Sequence, residues 1–309
     1  MNTIKFSKIN NLSTERHNLG ILKIYEENIF NNNLKIYHPC NLNIFITNKC
    51  QNKCFFCINE KNSSNVICDK LYYKTLIEVL EELRDKNFEV TITGGEPTLN
   101  LERFVNTLIL CNKYNFPCRT VSTTGLNLLK EYQQKPLCQH MIENNFIHNI
   151  NISRMHWKEE KNKEILTGIN ITNRDIQKLA MFFKFNGAEM RISCNIIPNY
   201  IDNFEKMLSF VEYYRNKDVD TVMFRELVGN QHIPLKNILK LTPENGFIYL
   251  KTLNGFAYIV DIYQYKDMIV KHYISKPKVD TSIISSFMLN GGFFMDNFTG
   301  KNVSIKLVK

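Results

Sequence analysis

Between residues 41 and 226 the apolar positions follow two alternating periods. Residues 42–47, 88–93, 119–123, 148–153, 189–197 and 221–225 are short runs rich in Ile, Val, Phe and Thr, and they read as buried strands. Between them, residues 71–86 set Leu76, Val79, Leu80 and Leu83 on one helical face, and residues 101–114, 126–132, 173–186 and 204–214 also read as helices. Asn173 is the expected N-cap of its helix, and Gly187 the residue that ends it. Strands that alternate with helices imply parallel pairing through right-handed crossovers. The predicted fold is α/β, a partial (β/α)6 barrel short of the complete eight units.

The two ends of the chain break this alternation. Residues 1–40 are rich in Asn and read as a lead-in segment with one helix. Residues 41–228 form the partial barrel. Beyond it, 247–250, 257–262, 268–272, 283–289, 293–295 and 303–308 read as short strands, punctuated by Gly255, Gly291, Gly292 and Gly300. Residues 229–309 are therefore expected to be a β-rich carboxy-terminal extension packed on the barrel.

Composition narrows the class. With 309 residues, 44% of them hydrophobic, the chain is long enough and apolar enough for a sizeable core. No stretch approaches the roughly 20 apolar residues of a membrane span, and the polar start is unlike a secretory signal. A cytoplasmic protein without a membrane partner is expected. The 39 Lys+Arg against 30 Asp+Glu give a net charge of +9. These charges are scattered, and runs such as 158–164 mix both signs as a solvated helix face does. That pattern argues for compositional bias over a nucleic-acid surface.

The cysteines change the picture. There are nine, an odd number, and Cys50, Cys54 and Cys57 are bunched directly after the first strand of the barrel while the others are dispersed. An odd, uneven set points to a reducing compartment. Three soft thiolates spaced C-x3-C-x2-C on one loop, with no second pair and no paired histidines after them, suit an iron–sulfur cluster better than zinc. Three ligands on a four-iron cluster leave one iron open.

With Phe56 just before the last cysteine, this loop resembles the signature of the radical S-adenosylmethionine (SAM) enzymes. Thr93-Gly94-Gly95-Glu96-Pro97, one strand later, resembles their Gly-Gly-Glu-Pro segment. The resemblance spans about residues 40–226. It implies one [4Fe-4S] cluster on Cys50, Cys54 and Cys57, SAM chelated at the open iron, and a 5′-deoxyadenosyl radical. A flavodoxin or ferredoxin is the implied electron donor. Gly94 and Gly95 are expected to admit the methionyl group, so that a Cβ at Gly95 would obstruct SAM and leave the cluster intact. Carried over residue by residue, Glu96, Pro97, Thr123, Ser153, Ser193 and Asn195 are candidate SAM contacts, and Phe56 a candidate adenine neighbour. Residues 121–125 depart from the family's strand-end Thr-Asn-Gly, with Thr124 in the Asn place.

Arg154 and His156, after the fourth strand and beside the only Trp, are candidate catalytic residues. Arg225-Glu226 is either an anion clamp or an ion pair closing the barrel. The chain most resembles the branch with the molybdenum-cofactor cyclase and the peptide-modifying enzymes, but it has no cysteine after Cys194 for an auxiliary cluster. A small metabolite or nucleotide-derived molecule is the expected substrate, with a peptide as the alternative. A nonenzymatic iron–sulfur protein that binds nucleic acid is the alternative of another class.

Overall fold

In the computed structural model, residues 23–57, 68–116, 119–144, 148–227, 232–238, 241–276, 278–290 and 292–296 are described. The expected strand at 303–308 lies outside them. The described part of the lead-in is not helical. Strand β1 (Lys23–Ile29) turns through Phe30 and Asn31, both at positive φ, and pairs antiparallel with β2 (Asn32–Phe45). Two consecutive left-handed residues suit a tight hairpin turn, and pairing lets Ile29 and Ile36 bury fully.

The core then follows the predicted alternation. Helix α1 (Asp69–Leu83) buries Tyr72, Leu76, Val79, Leu80 and Leu83, and β3 (Phe88–Thr93) follows it. Asn100 caps α2 (Leu101–Lys113) by accepting the Arg103 amide, and β4 (Arg119–Thr123) comes next. The helix expected at 126–132 is absent. A small hairpin, β5 (Glu131–Tyr132) and β6 (Lys135–Pro136), stands there, turned by Gln133 and Gln134 at positive φ. The helix forms later as α3 (Leu137–Glu143), where Leu137, Cys138, His140 and Met141 are buried.

Next come β7 (Asn149–Ser153), α4 (Glu159–Leu166), α5 (Asn173–Phe185), β8 (Glu189–Ile196), α6 (Phe204–Arg215) and β9 (Thr221–Glu226). The α5 cap is Thr172, whose hydroxyl accepts the Asp175 amide at 3.1 Å. Asn173 is otherwise engaged: its Oδ1 accepts from Arg154 and its Nδ2 donates to the Trp157 carbonyl.

The extension supplies β10 (Phe247–Asn254), β11 (Tyr258–Tyr265), β12 (Met268–Ser275), β13 (Ile284–Asn290) and β14 (Phe293–Asp296). These strands join the barrel sheet at both edges instead of lying on it. The order is β10-β11-β12-β9-β8-β7-β4-β3-β2-β13-β14. Both β12 beside β9 and β13 beside β2 run parallel to the core strands. The sheet is open, with β10 and β14 at the ends of that order, and the Tyr37 ring on β2 lies 5.5 Å from Phe256 in the β10–β11 turn.

Strand alternation divides the two faces. Leu42, Ile44, Val90, Ile92, Ile150 and Ile192 pack with helix residues such as Leu76, Leu108, Leu179 and Phe210 in one cluster. The alternate positions face inward, and many are polar, although Met223 joins an apolar group with Val260 and Ile262. Thr91 donates to Asn41, Asn43 to Ser286, and Thr221 to Glu189.

Candidate functional site

The parallel strands end on one rim, and the cysteine loop rises from the end of β2. Cys50 and Cys57 are exposed, Cys54 is half-buried, and none of the three forms a disulfide. The Cys57 amide donates to the Cys54 carbonyl at 3.0 Å, and the Asn52 amide points at the Cys50 sulfur from 3.4 Å. Burial raises the Cys50 thiol, with smaller contributions from the Glu96 carboxylate and Cys57. Among the described residues no three Cys, His, Asp or Glu side chains converge on one metal ion. Three thiols on one loop, two of them exposed, fit a cluster instead, because its ligands bind separate irons. Phe56 meets Phe55 edge to face at 5.2 Å and packs on the apolar group of Met155, Ile165, Leu166 and Ile197.

The Gly-Gly-Glu-Pro turn is bonded to this loop. The Gly95 amide donates to the Thr47 carbonyl and the Glu96 amide to the Lys49 carbonyl, both at 2.8 Å. A Cβ on Gly95 would stand 2.4 Å from the Lys49 oxygen, and one on Gly94, at φ 137°, 2.4 Å from the Thr47 oxygen. The bare glycines thus admit the chain's own backbone next to Cys50. A Cβ at Gly95 would therefore press first on the backbone that leads into Cys50.

Glu96 is fully buried. Its Oε1 accepts from the Thr98 amide and hydroxyl and from the Thr123 hydroxyl, and its Oε2 from the Thr124 amide at 2.7 Å. Thr123 also accepts the Gly125 amide at 2.9 Å. Glu96 and Thr123 therefore join the ends of β3 and β4, while Pro97 opens the short 3-10 turn Pro97–Leu99 beneath them. Thr124 accepts a hydrogen bond from Gln51 at 2.8 Å, tying the cysteine loop to β4. Nothing in the local sequence around Gln51 signalled that partner.

The other candidates separate into two groups. Ser153 and Ser193 are side by side in register, and one inward step further Asn195 pairs in register with Arg225, which pairs with Tyr273 of β12. The Arg225 guanidinium lies 4.1 Å above the Tyr273 ring. Glu226 faces the other way, accepting the Leu235 and Ser275 amides at 2.8 and 2.9 Å and meeting His232 at 3.3 Å. The Arg225–Glu226 ion pair considered from sequence is absent among the described residues. Sequence reasoning missed Tyr273, because its strand was not expected inside the barrel sheet. Deeper in the lumen Glu189 accepts from Arg191 and Thr221 and faces Lys271 at 3.5 Å. Burial raises its carboxyl, but the two cations and the Thr221 hydroxyl outweigh that and hold it well below the usual carboxylate range.

Arg154 is fully buried and faces away from the lumen. It donates to the Tyr214 hydroxyl at 3.1 Å, the Ile171 carbonyl at 2.9 Å and Asn173 at 2.8 Å. Its guanidinium is engaged in tethering β7 to α5 and α6. His156 stacks on Trp157 at 4.0 Å, and its Nδ1 accepts the Lys158 amide. Burial, with the Lys158 charge, pushes its pKa down to about 4. It is neutral at neutral pH and has no imidazolium proton to deliver there.

A cysteine loop bolted to a glycine turn at the rim of a partial barrel defines a radical SAM core. The chain belongs to the Radical SAM superfamily, whose family description matches residues 44–230. Among solved structures it is similar to SuiB from Streptococcus suis bound to S-adenosylmethionine, at 21% identity and a TM-score of 0.50 over 65% of this chain and 43% of SuiB. The radical S-adenosylmethionine methyltransferase TsrM from Kitasatospora setae follows at 14% identity and a TM-score of 0.41, over 60% of this chain and 35% of TsrM. The chain thus matches less than half the length of either protein. No curated protein matches the sequence. Among the described residues no helix is long and apolar enough to cross a membrane.

Proposed function

We propose that this chain cleaves SAM reductively and uses the resulting radical on a small substrate that carries an anionic group. When bound, the cluster supplies the electron that splits SAM into methionine and a 5′-deoxyadenosyl radical. Cys50, Cys54 and Cys57 would hold the cluster, with a flavodoxin or ferredoxin as donor. Gly94–Pro97 and the Glu96–Thr123 contact fix the rim beside it. Ser153, Ser193 and Asn195 offer hydroxyl and amide groups for the polar parts of SAM.

The observation that carries the substrate class is Arg225. It faces the mouth of the lumen, seated on Tyr273, with no acidic partner among the described residues. A guanidinium held by a ring and left without a carboxylate suits a carboxylate or phosphate on a metabolite or nucleotide-derived substrate. A peptide is the second reading, favoured by β10, an open sheet edge where Ile248 and Tyr249 are 58% and 55% exposed. The nucleic-acid alternative finds little support: lysines such as Lys86, Lys178 and Lys206 are paired with acids on their own helices or flanking turns.

The test is anaerobic reconstitution with iron and sulfide, followed by reduction in the presence of SAM. Formation of 5′-deoxyadenosine and methionine supports the reading. A loaded, reduced cluster that yields neither product rules it out.

A further inference from the structure

Helix α4 ends in a left-handed turn built on a residue ill-suited to it. Thr167 stands at φ 51°, ψ 45°, a region that disfavours β-branched side chains, although a glycine follows immediately at 168. The contacts explain that order. The Thr167 hydroxyl donates to the Lys53 carbonyl at 2.7 Å and accepts the Lys53 amide at 3.2 Å, an amide that also meets the Leu166 carbonyl at 3.1 Å. Gly168 must stay bare, because a Cβ there would stand 2.1 Å from Asn52 Oδ1 and 2.5 Å from the Gln51 carbonyl.

Two further contacts complete the clasp. Asn52 is buried, and its Nδ2 lies 3.4 Å from Asn170 Oδ1, while Asn170 Nδ2 donates to the Gly168 carbonyl at 3.1 Å. The Cys54 sulfur sits 3.7 Å from the Leu166 carbonyl. Residues 166–170 therefore grip residues 51–54 from both sides. Backbone conformations this unfavourable persist where surrounding contacts over-determine them, and they gather at functional sites.

We propose that Thr167 is a positioning residue for the cluster: its hydroxyl clasps Lys53 and so fixes where Cys54 stands relative to Cys50 and Cys57. The inference rests on the reading of those three thiolates as cluster ligands. Groups that hold metal ligands in place commonly change metal retention by about 10–100-fold when removed. A purely structural helix end makes the opposite prediction for one substitution. Glycine is the favoured residue at a left-handed helix terminus, so Thr167→Gly relieves the backbone while deleting the clasp.

The experiment compares the full chain with Thr167→Gly and Thr167→Ser, each anaerobically reconstituted, and reads two quantities. One is the melting temperature of the cluster-free chain. The other is the half-life of the cluster's visible absorption in excess iron chelator. Thr167→Gly is expected to melt at or above the parent temperature and to lose its cluster at least about tenfold faster. Thr167→Ser, which keeps the hydroxyl, is expected to retain the parent half-life. An unchanged half-life in Thr167→Gly, a matching fall in its melting temperature, or no recovery in Thr167→Ser overturns the proposal. A parent chain that takes up no cluster removes the ligand assignment itself, and this proposal with it.

Discussion

The Glu96 carboxylate and the Thr123 hydroxyl, from the ends of neighbouring parallel strands, hydrogen-bond where solvent is excluded from both. The backbone amides of Thr98 and Thr124 and the Thr98 hydroxyl also donate to the carboxylate. Glu96→Ala strands these donors, each at a cost of about 1–3 kcal/mol. The expected outcome is a loss of roughly 3 kcal/mol in denaturant unfolding. A fall in 5′-deoxyadenosine formation should accompany it as the adjoining glycine turn loses its anchor. Unchanged unfolding would mean that the carboxylate is not the tie between β3 and β4.

Gly95→Ala puts a methyl group where the Lys49 carbonyl already stands, 2.4 Å away. Backbone must move, and Lys49 adjoins Cys50. Iron content and SAM binding are therefore expected to fall together after reconstitution. Full iron with SAM affinity alone reduced would show that the glycine serves only the cofactor.

The chain is expected to bind about four irons, one cluster's worth. Replacing Cys50, Cys54 and Cys57 with Ala should bring iron to background. Replacing Cys138 and Cys194 together should leave it unchanged, since both are buried among helix and strand side chains on the outer face. Iron retained by half in the triple variant would reveal a second cluster.

Arg154→Ala should act on the fold. The guanidinium is fully buried and its removal leaves Asn173, Tyr214 and the Ile171 carbonyl without their donor. A loss of about 3 kcal/mol or more is expected in denaturant unfolding. At low temperature, folded and cluster-loaded variant should still form 5′-deoxyadenosine at near the parent rate. A stable variant with no SAM cleavage would restore Arg154 to the chemistry.

His272 is fully buried, and neither ring nitrogen has a hydrogen-bond partner among the described residues. Burial pushes its pKa down to about 3 from 6.5. Between these values the unfolded chain binds a proton that the folded chain does not, so stability is full above pH 6.5 and falls as pH drops toward 3. His272→Phe removes this term. Unfolding midpoints measured from pH 7 to pH 5 should decline less steeply in the variant than in the parent, and parallel declines would refute the assignment.

Much of the core was legible because strand and helix periods are local. Residues 88–93 and 119–123 form strands with the predicted bounds. The misses have local causes too. Gln133 and Gln134 adopt left-handed conformations that their residue type does not announce, and they replace the helix expected at 126–132 with a hairpin. In the lead-in, β1 and β2 form because each strand gives the other a partner.

The three bunched thiols, the Gly-Gly-Glu-Pro turn and the alternating pattern are properties of consecutive residues, so the family and the alternating core were legible in the chain alone. Contacts between distant residues set the rest. Glu96 with Thr123, Gln51 with Thr124, Thr167 with Lys53 and Arg225 with Tyr273 are juxtapositions created by the packing of strand ends. Only the tertiary structure could show that the glycines accommodate the chain's own backbone and that Arg154 is buried outside the lumen. It also decided that the carboxy-terminal strands enter the barrel sheet, because strand pairing depends on which edges meet in space and the alternating pattern of β12 and β13 carries no address.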